Sequence, residues 1–100
     1  MDAETLQKIC TIVGGKYSNE FIRGTVTTAE VSVCRIDNTE LILDKRFGQL
    51  AIQSTNYLLS LPAEELVCKL PEKKGEPVIC TTGSGKIKIT SNGVLLTMGD

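Results

Sequence analysis

The chain has no histidine, no tryptophan and only four aromatic residues among its 100 positions. Histidine is the side chain that most readily exchanges protons near neutral pH, so general acid–base chemistry would require a strongly shifted glutamate, lysine or cysteine. No two carboxylates have a spacing that would hold both over a shared pocket. We therefore predict that the protein is not an enzyme and has no catalytic residue and no cofactor.

The shortage of aromatic side chains also bears on nucleic-acid binding. The four aromatic residues, Tyr17, Phe21, Phe47 and Tyr57, do not alternate with lysine or arginine as they would in a base-stacking platform. Eleven basic against twelve acidic residues give a net charge of -1, so the chain lacks the positive field that sequence-independent binding uses. We expect no nucleic-acid partner.

A long apolar run is missing as well. The longest uncharged stretch, residues 47–63, is interrupted by glutamine, serine and asparagine. A membrane-spanning helix needs about 18 consecutive apolar residues, and no secretory signal pattern opens the chain. The Asn-x-Ser/Thr glycosylation motif is also absent. These absences predict a cytoplasmic protein without a membrane partner, with the nucleus as the alternative compartment.

Four cysteines are present, Cys10, Cys34, Cys68 and Cys80, and no pair has the close spacing of a zinc knuckle. Without histidine, only a site using all four thiolates could hold zinc, so we predict no metal. An even count permits two disulfides in three connectivities. Each cysteine, however, lies at a position where the local pattern calls for a small buried hydrophobe. Together with the predicted compartment, this favours free thiols.

The chain alternates between helical and strand patterns. Asp2 can cap a helix over residues 3–13, in which every third or fourth residue is apolar and after which Gly14 and Gly15 supply an exit. Alternating β-branched residues predict a strand near residues 22–28, then a hairpin that joins residues 30–36 to 40–45. The last quarter predicts three strands over residues 78–82, 86–90 and 94–98, joined by Gly83-Ser84-Gly85 and Asn92-Gly93 turns.

Residues 47–60 are apolar at helical spacing, and we predict an amphipathic helix here. Gly48 and Thr55 weaken this prediction, and an alternating strand through Leu50, Ile52 and Ser54 is the competing interpretation. Residues 62–69 predict a short helical piece, and residues 66–70 fit an edge strand equally well. The face of the predicted helix supplies the candidate partner-binding residues, Phe47, Leu50, Tyr57, Leu58 and Leu61.

A glycine-rich turn, Gly83-Ser84-Gly85-Lys86, is the candidate anion-binding site, since its N–H groups could point at a phosphate beside the lysine. Starting from Cys80, the segment resembles the Cys-x5-Arg loop of cysteine phosphatases, with Lys86 in the place of the arginine. That resemblance implies a nucleophilic thiolate at Cys80. A small anion- or phosphate-binding enzyme using residues 80–86 is therefore the alternative function.

These patterns predict a single α+β domain over residues 1–100. Its N-terminal helix and central amphipathic helix pack on an antiparallel sheet of about five or six strands. So few layers leave one face thinly covered, and sheet edges recruit other chains, so we predict a non-catalytic protein-interaction module that forms homodimers or docks in a larger complex. A structural component of a virus or phage particle is a further alternative, because composition does not distinguish the two.

The order of the predicted elements resembles that of the roadblock family of dynein light chains. A first helix precedes a hairpin over residues 31–45, a helix over 47–60 and a second hairpin, which carries Gly-Lys-Ile-Lys-Ile-Thr-Ser-Asn-Gly-Val-Leu-Leu over residues 85–96. Members of that family form homo- or heterodimers that act as scaffolds for small GTPases, dynein or signalling complexes. The resemblance implies a dimeric scaffold and assigns no site residues.

Overall fold

The computed structural model describes residues 1–23 and 28–98. In chain order its elements are α1 (Ala3–Val13), β1 (Lys16–Arg23), β2 (Thr28–Ile36), β3 (Thr39–Asp44), β4 (Gln49–Gln53), β5 (Leu58–Pro62), a 3-10 turn (Ala63–Glu65), β6 (Val67–Lys69), β7 (Val78–Thr81), β8 (Gly85–Thr90) and β9 (Gly93–Met98). The strands form two antiparallel sheets, β1-β2-β3-β4-β5 and β6-β7-β8-β9. We refer to them as the N-terminal sheet and the C-terminal sheet.

Helix α1 confirms the prediction over residues 3–13. The Asp2 carboxylate accepts a hydrogen bond from the Thr5 N–H at 2.8 Å and so satisfies one of the free amides of the first turn. Gly14 ends the helix in the left-handed conformation, with φ at 77°. The apolar side chains of the predicted stripe are buried, namely Leu6, Ile9, Cys10 and Val13.

In the N-terminal sheet each strand pairs with the next along the chain. The predicted hairpin over residues 30–45 is confirmed as β2 and β3, which are joined by a two-residue turn at Asp37 and Asn38. Asp37 has φ at 53°, a left-handed conformation that aspartate tolerates better than most residues. Of the strand predicted near residues 22–28, residues 24–27 lie outside the described part of the chain.

The central amphipathic helix predicted over residues 47–60 is wrong. The segment forms a turn, strand β4, a loop and the start of strand β5, and Gln49 to Gln53 pair with Pro62 to Leu58. Gly48 lies in the turn with φ at 61°, a conformation that suits glycine and interrupts a helix. Leu50 and Ile52 alternate with less buried neighbours, so the competing strand interpretation is the correct one.

The segment after β5 combines both predicted alternatives. Residues 63–65 form a single 3-10 turn, and Val67–Lys69 form the short edge strand β6. In the C-terminal sheet the three predicted strands are confirmed as β7, β8 and β9. The last hairpin turns at Ser91 and Asn92, because Thr90 pairs directly with Gly93.

The predicted fold class, two helices on one sheet, is therefore wrong. The inner faces of both sheets and the apolar stripe of α1 share one core, which contains Leu41 and Ile52 of the N-terminal sheet and Val78 and Ile89 of the C-terminal sheet. The Tyr57 hydroxyl donates to the carbonyl oxygen of Val94 at 3.2 Å and links the sheets at their periphery. In the described part of the chain, the alternating apolar side chains of the two sheets supply the core contacts that a second helix was expected to make.

The prediction of free thiols is also wrong, because all four cysteines form disulfides. Cys10 of α1 bonds to Cys34 of β2, and both residues are almost completely buried. Cys68 of β6 bonds to Cys80, the residue directly opposite it on β7. Local pattern predicted the burial of Cys10, Cys34 and Cys80 correctly, whereas Cys68 is only partly buried. Burial, however, is equally compatible with a thiol and with a disulfide.

Gly15 occupies a position at which a side chain would not fit. A Cβ atom built there would lie 2.8 Å from the Arg35 carbonyl oxygen and close to both sulfur atoms of the Cys10–Cys34 bond. The absence of a side chain lets α1 turn directly into β1 over the disulfide. Among the described residues, no helix is long and apolar enough to cross a membrane.

Candidate interaction surfaces

The five residues predicted to form a partner-binding helix face do not lie together. Leu50 and Leu61 are opposite each other on β4 and β5 and contribute to the core, where Leu50 is only 1% exposed. Tyr57 is half-buried by its contact with β9. Phe47 and Leu58 are exposed, at opposite ends of β4. The structure thus keeps two of the five available to a partner.

Large apolar side chains nevertheless project from several parts of the surface. Five of them are more than 60% exposed, namely Phe21, Phe47, Leu58, Val67 and Leu95. Two of the four aromatic residues of the chain are in this group. Leaving a phenylalanine in water forgoes about 1.5–3 kcal/mol of burial free energy. Exposed apolar side chains indicate a partner surface where they cluster, so their positions relative to one another matter.

Phe21 and Phe47 lie at the same end of the N-terminal sheet. Phe21 is paired with Glu30 of β2, and the Glu30 carboxylate lies 4.0 Å from the Lys45 ammonium, two residues before Phe47. The Arg46 guanidinium stacks over the Phe47 ring at 4.7 Å from its centroid. Phe21 was not among the predicted site residues, although it shares a face of β1 with the polar residues Asn19 and Arg23.

The outer face of the N-terminal sheet carries charges that neutralise one another. Arg35 of β2 lies between two glutamates: it donates a hydrogen bond from Nη2 to Glu20 at 2.9 Å, and its Nε forms an ion pair with Glu40 at 2.9 Å. Hydrogen bonding to Arg35 lowers the pKa of Glu20 from 4.5 to about 2. Val31 and Val33 alternate with Arg35 on this same face and are almost fully buried. The charges of this face are therefore already paired, and the two valines between them are not exposed.

The outer face of the C-terminal sheet is different in charge. One cross-strand row contains Lys69, Ile79, Lys88 and Leu95, and the neighbouring row contains Val67, Thr81, Lys86 and Thr97. None of the three lysines lies within 4.0 Å of a carboxylate in the described part of the chain. The face is therefore basic, with exposed aliphatic side chains between the charges.

The candidate anion-binding turn makes its hydrogen bonds internally. The Thr82 hydroxyl accepts from the N–H groups of Ser84 at 3.1 Å and Gly85 at 2.9 Å. These two amides were the expected phosphate donors. Cys80, the expected nucleophile, is in a disulfide and has no thiolate in this state. A phosphate site using Gly83, Ser84, Gly85 and Lys86 stays a prediction, although two of its amides are already hydrogen-bonded to Thr82.

Metal and small-molecule sites are similarly unsupported. Over residues 1–23 and 28–98, no three acidic or thiol side chains converge in a way that could hold a metal ion. A groove between α1 and the start of the β6–β7 connection, with Ile12, Leu70 and Pro71 among its lining residues, is open to solvent. The surface of the molecule thus offers faces and strand edges more than enclosed volumes.

Comparison with protein-family models, with curated proteins and with solved structures finds no match to this chain or its fold. The roadblock resemblance therefore stays a prediction. Part of the element order on which it was based, the helix over residues 47–60, is replaced by two strands.

Proposed function

We propose that the chain is a non-catalytic protein-interaction module, which assembles with other protein chains through exposed apolar side chains and strand edges. The observation that supports this proposal is the set of five large apolar side chains more than 60% exposed. They are distributed over both sheets, so the rearrangement of a single loop would not bury all of them.

The two disulfides support the proposal that the protein functions in an oxidising compartment, because disulfides persist outside the reducing cytosol. The cytoplasmic prediction came from the missing signal pattern, apolar run and glycosylation motif, and the two disulfides weigh against it. Alkylation of the protein without reductant, followed by mass spectrometry, tests this point. Material purified from its native source should incorporate no alkyl group, and labelling of all four cysteines would contradict the proposal.

Analytical ultracentrifugation over a range of concentrations tests the assembly function. We expect the average mass to rise with concentration, and replacement of Phe21 and Phe47 with serine to reduce that rise. Both side chains are exposed, so the variant should keep the circular dichroism spectrum of the wild type. A strict monomer at high micromolar concentration, from which cross-linking in a native extract recovers no defined partner, would refute the proposed function.

A further inference from the structure

Strand β1 differs from the other three edge strands of the two sheets. Strand β6 has three residues, β5 has five and ends in proline, and β9 has six and begins with glycine. Strand β1 has eight residues with neither proline nor glycine, and in the described part of the chain it pairs with β2 alone. Proteins usually shorten such edges or interrupt them with proline, because unpaired N–H and C=O groups recruit other strands.

We infer that β1 pairs with β1 of a second copy of this chain, antiparallel and around a two-fold axis, an inference that rests on the proposed assembly function. A strand edge is completed by another strand, since only a strand matches its row of backbone donors and acceptors. The sequence of β1 is complementary to itself in one register, the one that places Asn19 on the two-fold axis.

The faces of the sheet restrict the register. In an antiparallel pair, residues directly opposite each other point to the same face of the sheet. Because successive residues of β1 point to opposite faces, the two-fold axis must pass between two copies of the same residue. An axis at Glu20 would place two glutamates directly opposite each other, which is destabilising. Axes at Ser18 and Phe21 each pair only five residues. The axis at Asn19 pairs residues 16–22 without opposing like charges.

The register with Asn19 on the axis covers the exposed aromatic ring. Tyr17, which is half-buried against the core, lies opposite Phe21 of the second copy, and the two-fold axis repeats the pair. Phe21 is 73% exposed in the isolated chain, so this pairing buries it against another ring, an arrangement that aromatic side chains favour. Tyr17 and Phe21 thus supply the apolar part of the interface.

Charges are compatible with the same arrangement on the opposite face. Lys16 lies diagonally across from Glu20 of the second copy, about 7–8 Å between Cα atoms and within reach of a lysine side chain. Glu20 is already paired with Arg35 of its own copy, so this contact adds little attraction and introduces no repulsion. The two N-terminal sheets would join into one sheet of ten strands. Because the contact uses the same edge of both copies, it closes as a dimer and does not propagate into a fibre.

The substitution Asn19→Asp tests this register. Asn19 Oδ1 accepts a hydrogen bond from the buried Ser32 hydroxyl at 3.2 Å, and an aspartate keeps that acceptor, so the monomer should fold. In the dimer, however, the variant places two carboxylates opposite each other. We expect the dissociation constant measured by ultracentrifugation to rise at least tenfold at about pH 7. Lowering the pH to about 4, where the paired carboxylates take up a proton, should reverse most of that rise.

Asn56→Asp is the matched control, since it adds the same charge on an exposed loop away from β1. It should leave the dissociation constant within about twofold of the wild type. Hydrogen exchange provides a readout without substitution. Amides of residues 16–22 should exchange more slowly at high than at low protein concentration, since dimerisation pairs them.

The other outcomes each overturn the inference. In one outcome Asn19→Asp does not weaken the dimer, and residues 16–22 show no concentration-dependent protection. The dimer then uses another surface, and the proposed assembly function is still supported. A strict monomer whose β1 amides become protected only when a different protein is added uses β1 as an edge for that protein, and again the assembly function survives. A strict monomer without any partner would refute both proposals.

Discussion

The two sheets have contrasting outer faces. On the N-terminal sheet Arg35 joins Glu20 and Glu40, and Arg46 joins Asp44. On the C-terminal sheet Lys69, Lys86 and Lys88 have exposed aliphatic neighbours and no carboxylate nearby among the described residues. The contrast extends to composition: residues 66–98 hold five lysines against two glutamates, whereas residues 1–65 hold six basic against nine acidic residues.

This difference shows that a net charge near zero conceals two regions of opposite sign. The sequence average of -1 describes neither sheet. A paired face gains little from a charged partner, because its charges are already compensated. An unpaired basic face attracts acidic surfaces over about one Debye length, roughly 8–10 Å at physiological ionic strength.

The disulfides follow the same division. Cys10–Cys34 ties α1 to the inner face of the N-terminal sheet and is buried. Cys68–Cys80 joins two adjacent strands of the C-terminal sheet, and Cys68 is half-exposed. One bond fixes how two elements pack, and the other reinforces a pairing that the strands already make.

Replacing core residues should have the largest effect and tests whether the two sheets unfold together. Leu41→Ala in the N-terminal sheet and Ile89→Ala in the C-terminal sheet each remove a side chain that is at most 1% exposed. Each should lower the free energy of unfolding by about 2–5 kcal/mol. Urea unfolding followed by circular dichroism and by tyrosine fluorescence should give one coincident transition for both variants.

The control for this experiment is Leu95→Ala, at a side chain that is 61% exposed. It should change the free energy of unfolding by less than about 0.5 kcal/mol. If Ile89→Ala instead separates the two probes into distinct transitions, the sheets behave as independent units and the shared core is not cooperative.

Removing the disulfides one at a time should separate their contributions. Cys10→Ala/Cys34→Ala opens a loop with a sequence separation of 24 residues, and the chain-entropy relation gives a loss of about 3.5 kcal/mol. Cys68→Ala/Cys80→Ala opens a loop with a separation of 12 residues and should cost about 3 kcal/mol. Chemical denaturation of the two variants under identical conditions measures both losses.

The two bonds should also differ in their reaction with reductant. A low concentration of dithiothreitol should open Cys68–Cys80 first, because one of its sulfur-bearing residues is accessible. Peptide mapping after alkylation identifies the order. Earlier reduction of the buried Cys10–Cys34 bond would mean that α1 leaves the core more readily than β6 leaves β7.

Removing the Tyr57 hydroxyl should weaken the connection between the sheets moderately. Tyr57→Phe deletes the hydrogen bond to the Val94 carbonyl and should cost about 1 kcal/mol. Tyr17→Phe is the matched control, since its hydroxyl makes only an exposed contact of 3.5 Å to Asn19 on the same strand. Equal losses in thermal unfolding would show that the Tyr57 contact does not link the sheets energetically.

The smallest expected effect concerns the paired face and depends on pH. The folded-state pKa of Glu20 is about 2, below its ordinary value of 4.5. The stabilisation from its ion pair is therefore complete above about pH 4.5 and is lost as the pH falls toward 2. The difference in stability between wild type and Glu20→Gln should shrink over this interval, as measured by denaturation at several pH values. High salt should reduce the difference, because Glu20 is partly exposed.

Local patterns predicted much of this fold. The Asp2 cap, the Gly14 exit and the apolar stripe of α1 are all local features, and so are the turns at Asp37 and Gly83. The helix prediction for residues 47–60 was wrong because Phe47, Leu50 and Ala51 match helical spacing by coincidence across a turn. The decisive signal was the alternation within β4, which is only five residues long.

The surfaces were less predictable than the elements. The sequence indicates that Phe47 and Leu58 are apolar, but not that β4 and β5 place them at opposite ends of a hairpin. The basic face likewise depends on which strands are neighbours, since Lys69 and Lys88 are brought into one row by the intervening strand β7. Disulfide partners depend on the same spatial information, which no local spacing contains.

The path of covalent bonds through the molecule has a practical consequence. One disulfide lies within the part of the chain that ends with β5, and the other lies within the part that begins with β6. Only the peptide chain between β5 and β6 therefore joins these two halves covalently. A protease that cuts near Glu64 would release two fragments on a non-reducing gel. A cut between Cys10 and Cys34, or between Cys68 and Cys80, would leave the pieces tethered.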